Sequence, residues 1–335
     1  MVLSDMSATA EKIAVIGGGA WGTALAALEA RAGRTTVLYA RDFDAARAIV
    51  ATGRNERYLP GIALPETLAA TADMASALSD ATLVLVVVPA QNLADIAGDL
   101  ARGVAKGVPV VLCAKGIERQ TGRFASDILA AHIDQADLAV LSGPSFAADV
   151  ARGLPTAVTI AASDEARADD IARRLSTESF RGYASSDVVG VEAGGALKNV
   201  LAIAAGIVAG AGLGASAGAA IVTRGFVELR RLGEALGARP ETLMGLSGLG
   251  DLVLTCSGAQ SRNFSYGLAL GRGEDLAGLK LAEGVYSAAI AARIAVEREI
   301  DAPIIATVAA ILGGEMSVDR AVRELLARPL KREFD

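Results

Sequence analysis

Aromatic residues make up only 4% of this 335-residue chain, so its core has to be built from Ala, Val, Leu and Ile. That composition favours helices and parallel strands packed through small side chains. Cysteine is scarce too. Cys113 and Cys256 stand alone, with no disulfide framework and no His/Cys spacing that would hold zinc. A single histidine, His132, rules out a His-rich metal centre and argues against a Ser-His-Asp triad. If the chain is an enzyme, its proton donor is expected among Lys, Asp, Glu and Tyr. No Lys/Arg-rich block is present and the net charge is −6, which argues against a nucleic-acid partner. An anionic small molecule needs only a few local cations and stays open.

The first residues lack a basic region followed by an apolar one, so residues 1–11 read as a disordered tail and the cytoplasm is the expected location. The segment 200–222 carries no charge and would satisfy a membrane-span test by length. Gly206, Gly210, Gly212, Gly214 and Gly218 interrupt it, and it has no aromatic belts. The better reading is a pair of buried helices broken at 210–214.

What the chain does have is a repeated strand–helix rhythm. One hydrophobic core stops growing near about 250–300 residues, so the length points to two domains. Residues 12–16 form a short apolar run that leads into Gly17-Gly18-Gly19-Ala20-Trp21-Gly22. Helical composition follows to Gly33, then a β-branched run at 35–40. That is the spacing of a βαβ unit. Continuous apolar runs at 82–88, 109–114 and 138–141 read as parallel strands buried on both faces, and 157–161 and 180–184 as edge strands. After about Ser186 strand signals vanish and Ala/Leu/Ile-rich helical segments continue to the end. The expected fold is α/β, a Rossmann doubly wound sheet over 12–187 followed by an all-α domain over 188–335.

The glycine loop matches G-x-G-x-x-G, and it lies between a strand and a helix, which is the context that gives the motif meaning. Gly17 permits the tight turn, Gly19 lets backbone approach a pyrophosphate, and Gly22 lets helix and strand pack closely. The helix N-terminus then offers free N–H groups to the anion. Ala20 and Trp21 lie inside the loop. After the second strand comes Arg41 instead of an acidic residue, and a guanidinium there suits a 2′-phosphate. Asp42 falls one residue late for the acidic role. The cofactor expected is therefore NADP or NAD, with use of both.

Several further motifs come in a fixed order: Asn55-Glu-Arg-Tyr-Leu-Pro-Gly61, Ala114-Lys115-Gly116, Ser142-Gly-Pro-Ser145, Leu197-Lys198-Asn199, Gly248-Leu-Gly-Asp-Leu252 and Ser261-Arg262-Asn263. With the glycine loop they resemble bacterial NAD(P)-dependent glycerol-3-phosphate dehydrogenase over residues 12–330. Ala20 departs from the pattern, since many members carry Ser there. The resemblance implies reversible reduction of dihydroxyacetone phosphate to sn-glycerol 3-phosphate, feeding phospholipid synthesis. It also implies a helical domain of the 6-phosphogluconate dehydrogenase type.

The resemblance makes Lys198 the proton donor, and burial of a lysine lowers its pKa toward neutrality, where proton transfer is efficient. It implies that Lys115 contacts cofactor and substrate, where it can also polarise the carbonyl. Asp251 needs a partner in apolar surroundings, a lysine or a substrate hydroxyl, unless it merely caps a helix. Thr255 shares its face if the segment is helical. Ser261, Arg262 and Asn263 suit a phosphate, since the guanidinium fork binds two oxygens. Asn199, Gly143 and Ser145 are further substrate contacts. Ala147, Arg262, Leu281 and Glu283 fall to the cofactor by the same resemblance, with Glu283 near the nicotinamide ribose. The implied protein has no metal and no nucleic-acid or membrane partner, and a homodimer follows by analogy. The alternatives are a β-hydroxyacid or ketopantoate-type dehydrogenase of the same architecture, a non-catalytic dinucleotide sensor, and a membrane protein.

Overall fold

The computed structural model describes residues 11–133, 137–279 and 282–329. The expected N-terminal tail lies, apart from Glu11, outside the described residues. The chain divides into two compact units. One takes the described residues up to Ala114 together with Ala125–Val188; the other takes Lys115–Phe124 and the residues from Val189 on. The segment Lys115–Phe124 thus groups with the helical unit, against the expectation of a single boundary near 188.

The first unit is an eight-stranded sheet. Its strands are β1 (Lys12–Ile16), β2 (Thr35–Tyr39), β3 (Ala69–Thr71), β4 (Leu83–Val86), β5 (Pro109–Leu112), β6 (Asp137–Ser142), β7 (Thr156–Ala162) and β8 (Phe180–Ser185). Their order is β3-β2-β1-β4-β5-β6-β7-β8. All pairs are parallel except β6 with β7. Strand order reverses between β1 and β4, and ligands of open α/β sheets bind beyond the carboxyl ends at such a switch point. The apolar runs become strands with every β4 and β5 residue buried, because helices cover both faces. Helix α1 (Ala20–Arg31) packs Leu25 and Leu28 into the same cluster as Ile13, Val15, Leu38 and Leu85. Each such side chain contributes roughly 1.5–3 kcal/mol by burial. The three-residue β3 carried no readable strand pattern and was not expected.

Two burials in this fold carry a pH consequence. Glu29, on α1, is fully buried and pairs with Arg34; burial pushes its carboxyl up to about 7. Glu228 belongs to the second unit, on α9 (Gly214–Ala235). Its Oε1 accepts from the Ile304 N–H at 2.8 Å and its Oε2 from the Ile305 N–H at 3.0 Å. It thereby caps α14 (Pro303–Leu312), whose own N-cap, Ala302, offers no side-chain acceptor. Burial raises Glu228 to about 7 as well, against the pull of those two N–H groups. A carboxyl whose folded pKa lies above its unfolded one contributes stability below the unfolded value and loses it as pH rises through the folded value. Thermal unfolding should therefore shift to lower temperature between pH 5 and pH 8. Glu228→Gln should remove that residue's share of the shift. Glu228→Ala should cost roughly 1–3 kcal/mol by orphaning two buried N–H groups, read by denaturant titration.

The long uncharged segment forms α8 (Val188–Gly210) and the start of α9, broken at Gly210–Gly214 as expected. α8 is long and apolar enough to cross a membrane, but 89% of its most apolar window is buried inside the protein. Its glycines have a packing reason. A Cβ at Gly206 would strike the Phe264 carbonyl, and one at Gly267 would strike Ile203. α8 and α12 (Arg262–Arg272) therefore cross with backbone against backbone. The rest of this unit is α10 (Pro240–Met244), α11 (Asp251–Cys256), α13 (Glu283–Glu297) and α15 (Val318–Leu326).

Candidate functional site

In the first unit the glycine loop leaves β1 at its carboxyl end and opens α1. The Gly17 N–H donates to the Tyr39 carbonyl at 3.0 Å, tying the loop to the end of β2. Gly17 has φ of +132°, and a Cβ there would meet the Val87 carbonyl at 2.5 Å. A Cβ at Gly22 would strike Gly17 itself. At Gly19 nothing lies within 4 Å of the same point, so that face of the loop is open. No side chain caps α1 and no acidic residue lies in its first turn, which leaves N–H groups and the positive end of the helix dipole for an anion. Trp21 packs against the core, and its indole N–H is buried with no hydrogen-bond partner among the described residues. A cradle that any side chain would fill, an uncapped helix start and an orphaned donor fit a dinucleotide.

Arg41 follows β2 and is exposed. Asp42 accepts from the Ala45 N–H at 3.1 Å and so caps α2 (Phe43–Thr52), which answers why an acidic residue stands one place late. Gly143 and Ser145 follow β6, where the Ser145 hydroxyl donates to the Gly143 carbonyl at 3.0 Å. Ala147 opens α6 (Ala147–Ala151) and packs on the sheet core. His132 is not unpartnered: its Nδ1 lies 2.9 Å from the Ile128 carbonyl.

The helical unit gathers most of the remaining candidates. A π-helical turn at Leu246–Gly250 delivers Asp251 to the start of α11. Such turns are rare and recur at functional sites. Gly250, not Asp251, holds the N-cap position, so the carboxylate is not spent on capping. Its Oδ1 lies 2.8 Å from Lys198 Nζ and its Oδ2 lies 2.8 Å from Lys115 Nζ. Lys198 and Asp251 are only 5% and 1% exposed. One buried anion thus holds two cations that are 83 residues apart in the chain.

Thr255, one helical turn beyond Asp251, completes the arrangement. Its hydroxyl donates to the Asp251 carbonyl at 2.6 Å, which leaves its oxygen to accept from Lys198 Nζ at 2.8 Å. An ammonium has three N–H donors. Asp251 and Thr255 take two; the third has no acceptor among the described residues. Burial lowers Lys198 to about 8, countered by Asp251 and reinforced by Lys115. Cys256 stands nearby, but burial pushes its thiol up to about 12, which leaves no thiolate for chemistry.

A chain of amides borders this cluster. Asn199 Nδ2 donates to the Lys115 carbonyl at 3.1 Å, and Asn263 Nδ2 donates to Asn199 Oδ1 at 2.8 Å. Asn263 Oδ1 accepts from the Gly284 N–H at 2.9 Å. Ser261 caps α12 by accepting from the Phe264 N–H at 3.2 Å. These contacts show Ser261 and Asn263 doing structural work that their tripeptide did not announce. Glu283 opens α13; burial raises its carboxyl, while Arg262, Lys198 and Lys115 pull it down. Three cations, Arg262, Lys198 and Lys115, therefore act on a site that holds two acidic side chains, Asp251 and Glu283, a surplus of positive charge that suits a phosphate-bearing ligand. Leu281 lies outside the described residues. One residue was singled out by no chemistry in the sequence: Asn55, buried beneath the glycine loop.

Comparison with known proteins bears on the whole chain. Residues 12–168 match the model of the NAD-dependent glycerol-3-phosphate dehydrogenase N-terminus, and residues 187–323 that of its C-terminus. A glycerol-3-phosphate dehydrogenase [NAD(P)+] from Mesorhizobium japonicum is 61% identical, covering 99% of this chain and 96% of that protein. The crystal structure of glycerol-3-phosphate dehydrogenase from Coxiella burnetii is 39% identical with a TM-score of 0.89, covering 95% of this chain and 99% of that one. A ketopantoate reductase structure from Ralstonia eutropha is 19% identical with a TM-score of 0.61, over 93% and 99% of the two chains, a likeness of fold alone. With both family models matched in order along the motif-bearing residues, the chain belongs to the NAD-dependent glycerol-3-phosphate dehydrogenase family.

Proposed function

We propose that the cluster of Lys198, Asp251, Thr255 and Lys115 carries out this family's reaction, NAD(P)H-dependent reduction of dihydroxyacetone phosphate to sn-glycerol 3-phosphate and its reverse. The observation that supports it most is Lys198: buried, lowered to about 8, fixed by two partners, with a third N–H left over. The reduced nicotinamide, when bound, supplies the hydride to the ketone carbon. The carbonyl oxygen then becomes an alkoxide and takes a proton from Lys198 Nζ. Asp251 and Thr255 hold that ammonium at one position and so convert an encounter into a fixed geometry. Lys115, anchored on the other carboxylate oxygen, stabilises negative charge as it grows on the oxygen. In glycerol 3-phosphate oxidation Lys198 runs the other way and accepts the proton when neutral.

Substrate selection falls to the polar edge of the helical unit. Arg262 at the start of α12, with Asn263, Asn199 and Ser261 beside it, is the phosphate-binding group. Gly143 and Ser145 contribute substrate contacts from the end of β6. The glycine loop, with Trp21 and Ala20, and Ala147, Leu281 and Glu283 receive the cofactor. We also assign the enzyme to the cytoplasm, as a homodimer, supplying the glycerol backbone of phospholipids.

Mixing purified protein with dihydroxyacetone phosphate and NADH or NADPH, and following loss of reduced-cofactor absorbance, tests this reading. Turnover is expected with the phosphorylated ketone and not with ketopantoate. Turnover only with the carboxylate would overturn it. Arg41 supplies a separate prediction. Its guanidinium is exposed just after β2 and is the proposed partner of a 2′-phosphate, so Arg41→Ala should raise KM for NADPH by about tenfold, as loss of a charge-assisted pair implies. KM for NADH should stay within about twofold, since that cofactor lacks the phosphate.

A further inference from the structure

Asn55 is a buried amide, 6% exposed, that comes 37 residues after the loop it touches. Its Nδ2 donates to the Gly18 carbonyl at 3.1 Å and to Thr23 Oγ1, on α1, at 2.8 Å. A carbonyl oxygen accepts only, so it is the amide nitrogen that must face Gly18. The residue is held firmly in turn. Its main-chain carbonyl accepts from the Tyr58 and Leu59 N–H groups at 3.1 and 2.8 Å. Arg54 bridges to Ala63, the Leu64 N–H donates to the Gly53 carbonyl at 2.8 Å, and Leu59, Ile62 and Leu64 sink into the sheet core.

The grip matters because of what it fixes. A trans peptide is planar, so its C=O and the next N–H point in opposite directions. Clamping the Gly18 carbonyl therefore sets the direction of the Gly19 N–H, which donates to no group among the described residues. That peptide lies between two glycines, where rotation of the whole plane meets little steric resistance. Unclamped, it can turn its carbonyl oxygen toward an incoming phosphate, which repels it. The loop's chemistry thus needs an external hold that the loop cannot supply.

We propose that Asn55 is a positioning residue for cofactor binding, its amide holding the Gly18–Gly19 peptide so that the Gly19 N–H is presented to the pyrophosphate. The proposal rests on the glycine loop being the cofactor site. Binding is therefore measured without ketone, so failure of the proposal is separable from failure of the reaction assignment.

Trp21 is the only tryptophan in the chain and lies inside the loop, so its emission reports loop conformation directly. ADP is the probe, carrying the pyrophosphate without the nicotinamide. Asn55→Asp keeps the side chain's size and replaces the donor with a charged acceptor. It should shift free-state Trp21 emission and weaken ADP by more than tenfold, and Asn55→Ala by about fivefold, as expected for one or two lost buried hydrogen bonds. KM should rise by the same factor for NADH and NADPH, because the pyrophosphate is common to both. At saturating cofactor kcat should stay within about twofold. Leu175→Ala, in the same hydrophobic core but with no part in holding Asn55, is the control for mere destabilisation: it should lower the unfolding temperature yet bind ADP within about twofold of wild type. Folded Asn55→Asp that binds ADP like wild type with unchanged Trp21 emission would overturn the proposal. So would a loss of affinity no larger than that of Leu175→Ala.

Discussion

Lys198→Ala should lower turnover of dihydroxyacetone phosphate reduction by about a thousandfold, within the range for loss of a positioned general acid. KM for the ketone should change far less, because the phosphate contacts proposed for Arg262 and its neighbours remain. The variant should also fold. Removing Lys198 leaves Asp251 paired with Lys115 at 2.8 Å, so no buried charge is stranded. That separates it from a substitution that merely breaks the site. A small primary amine added to Lys198→Ala should restore part of the rate, and more so for amines whose pKa lies nearer the assay pH. Turnover of the variant at wild-type rate would remove Lys198 from the chemistry altogether.

The second large effect belongs to Asp251. Its carboxylate pairs with both lysines, and it raises Lys198 against the effect of burial. Asp251→Asn removes that charge and leaves two ammonium groups facing each other. Lys198 must then titrate below its present value of about 8, so less of it is protonated at neutral pH. Reduction at pH 7.5 should fall by about a hundredfold or more, with the descending limb of its pH profile moved to lower pH. Stability should fall by about 3 kcal/mol, as for a buried pair with one member lost, read by denaturant unfolding. A variant with normal stability and an unmoved pH profile would show that Asp251 does not hold the pair.

The glycine loop and its flanking strands were legible because their signals are local. A run of apolar residues, a glycine turn and a helix follow one another within a few tens of residues, and each has its own steric reason. The break at Gly210–Gly214 was legible for the same reason. The gathering of Lys115, Lys198 and Asp251 was readable only through family likeness, since the two lysines sit 136 and 53 residues before the acid and no local pattern says that they meet it. Lys115 follows strand β5 in the chain, yet its segment groups with the helices, a matter of tertiary packing that no periodicity records. Ser261-Arg262-Asn263 looked like three donors to a phosphate. The structure makes Ser261 a helix cap and gives the Asn263 amide to Asn199, because a short polar residue near a helix start finds backbone first. Asn55 was invisible as chemistry: its role depends on a carbonyl 37 residues away.

The central claim is that Lys198 is the acid in ketone reduction, and the pH dependence of kcat in both directions tests it most directly. Reduction requires the ammonium, so its kcat should fall as pH rises through about 8. Oxidation of glycerol 3-phosphate requires the neutral amine, so its kcat should rise through the same value. A reduction rate that stays flat to pH 10 in the wild-type enzyme, with binding of both substrates intact, would contradict it.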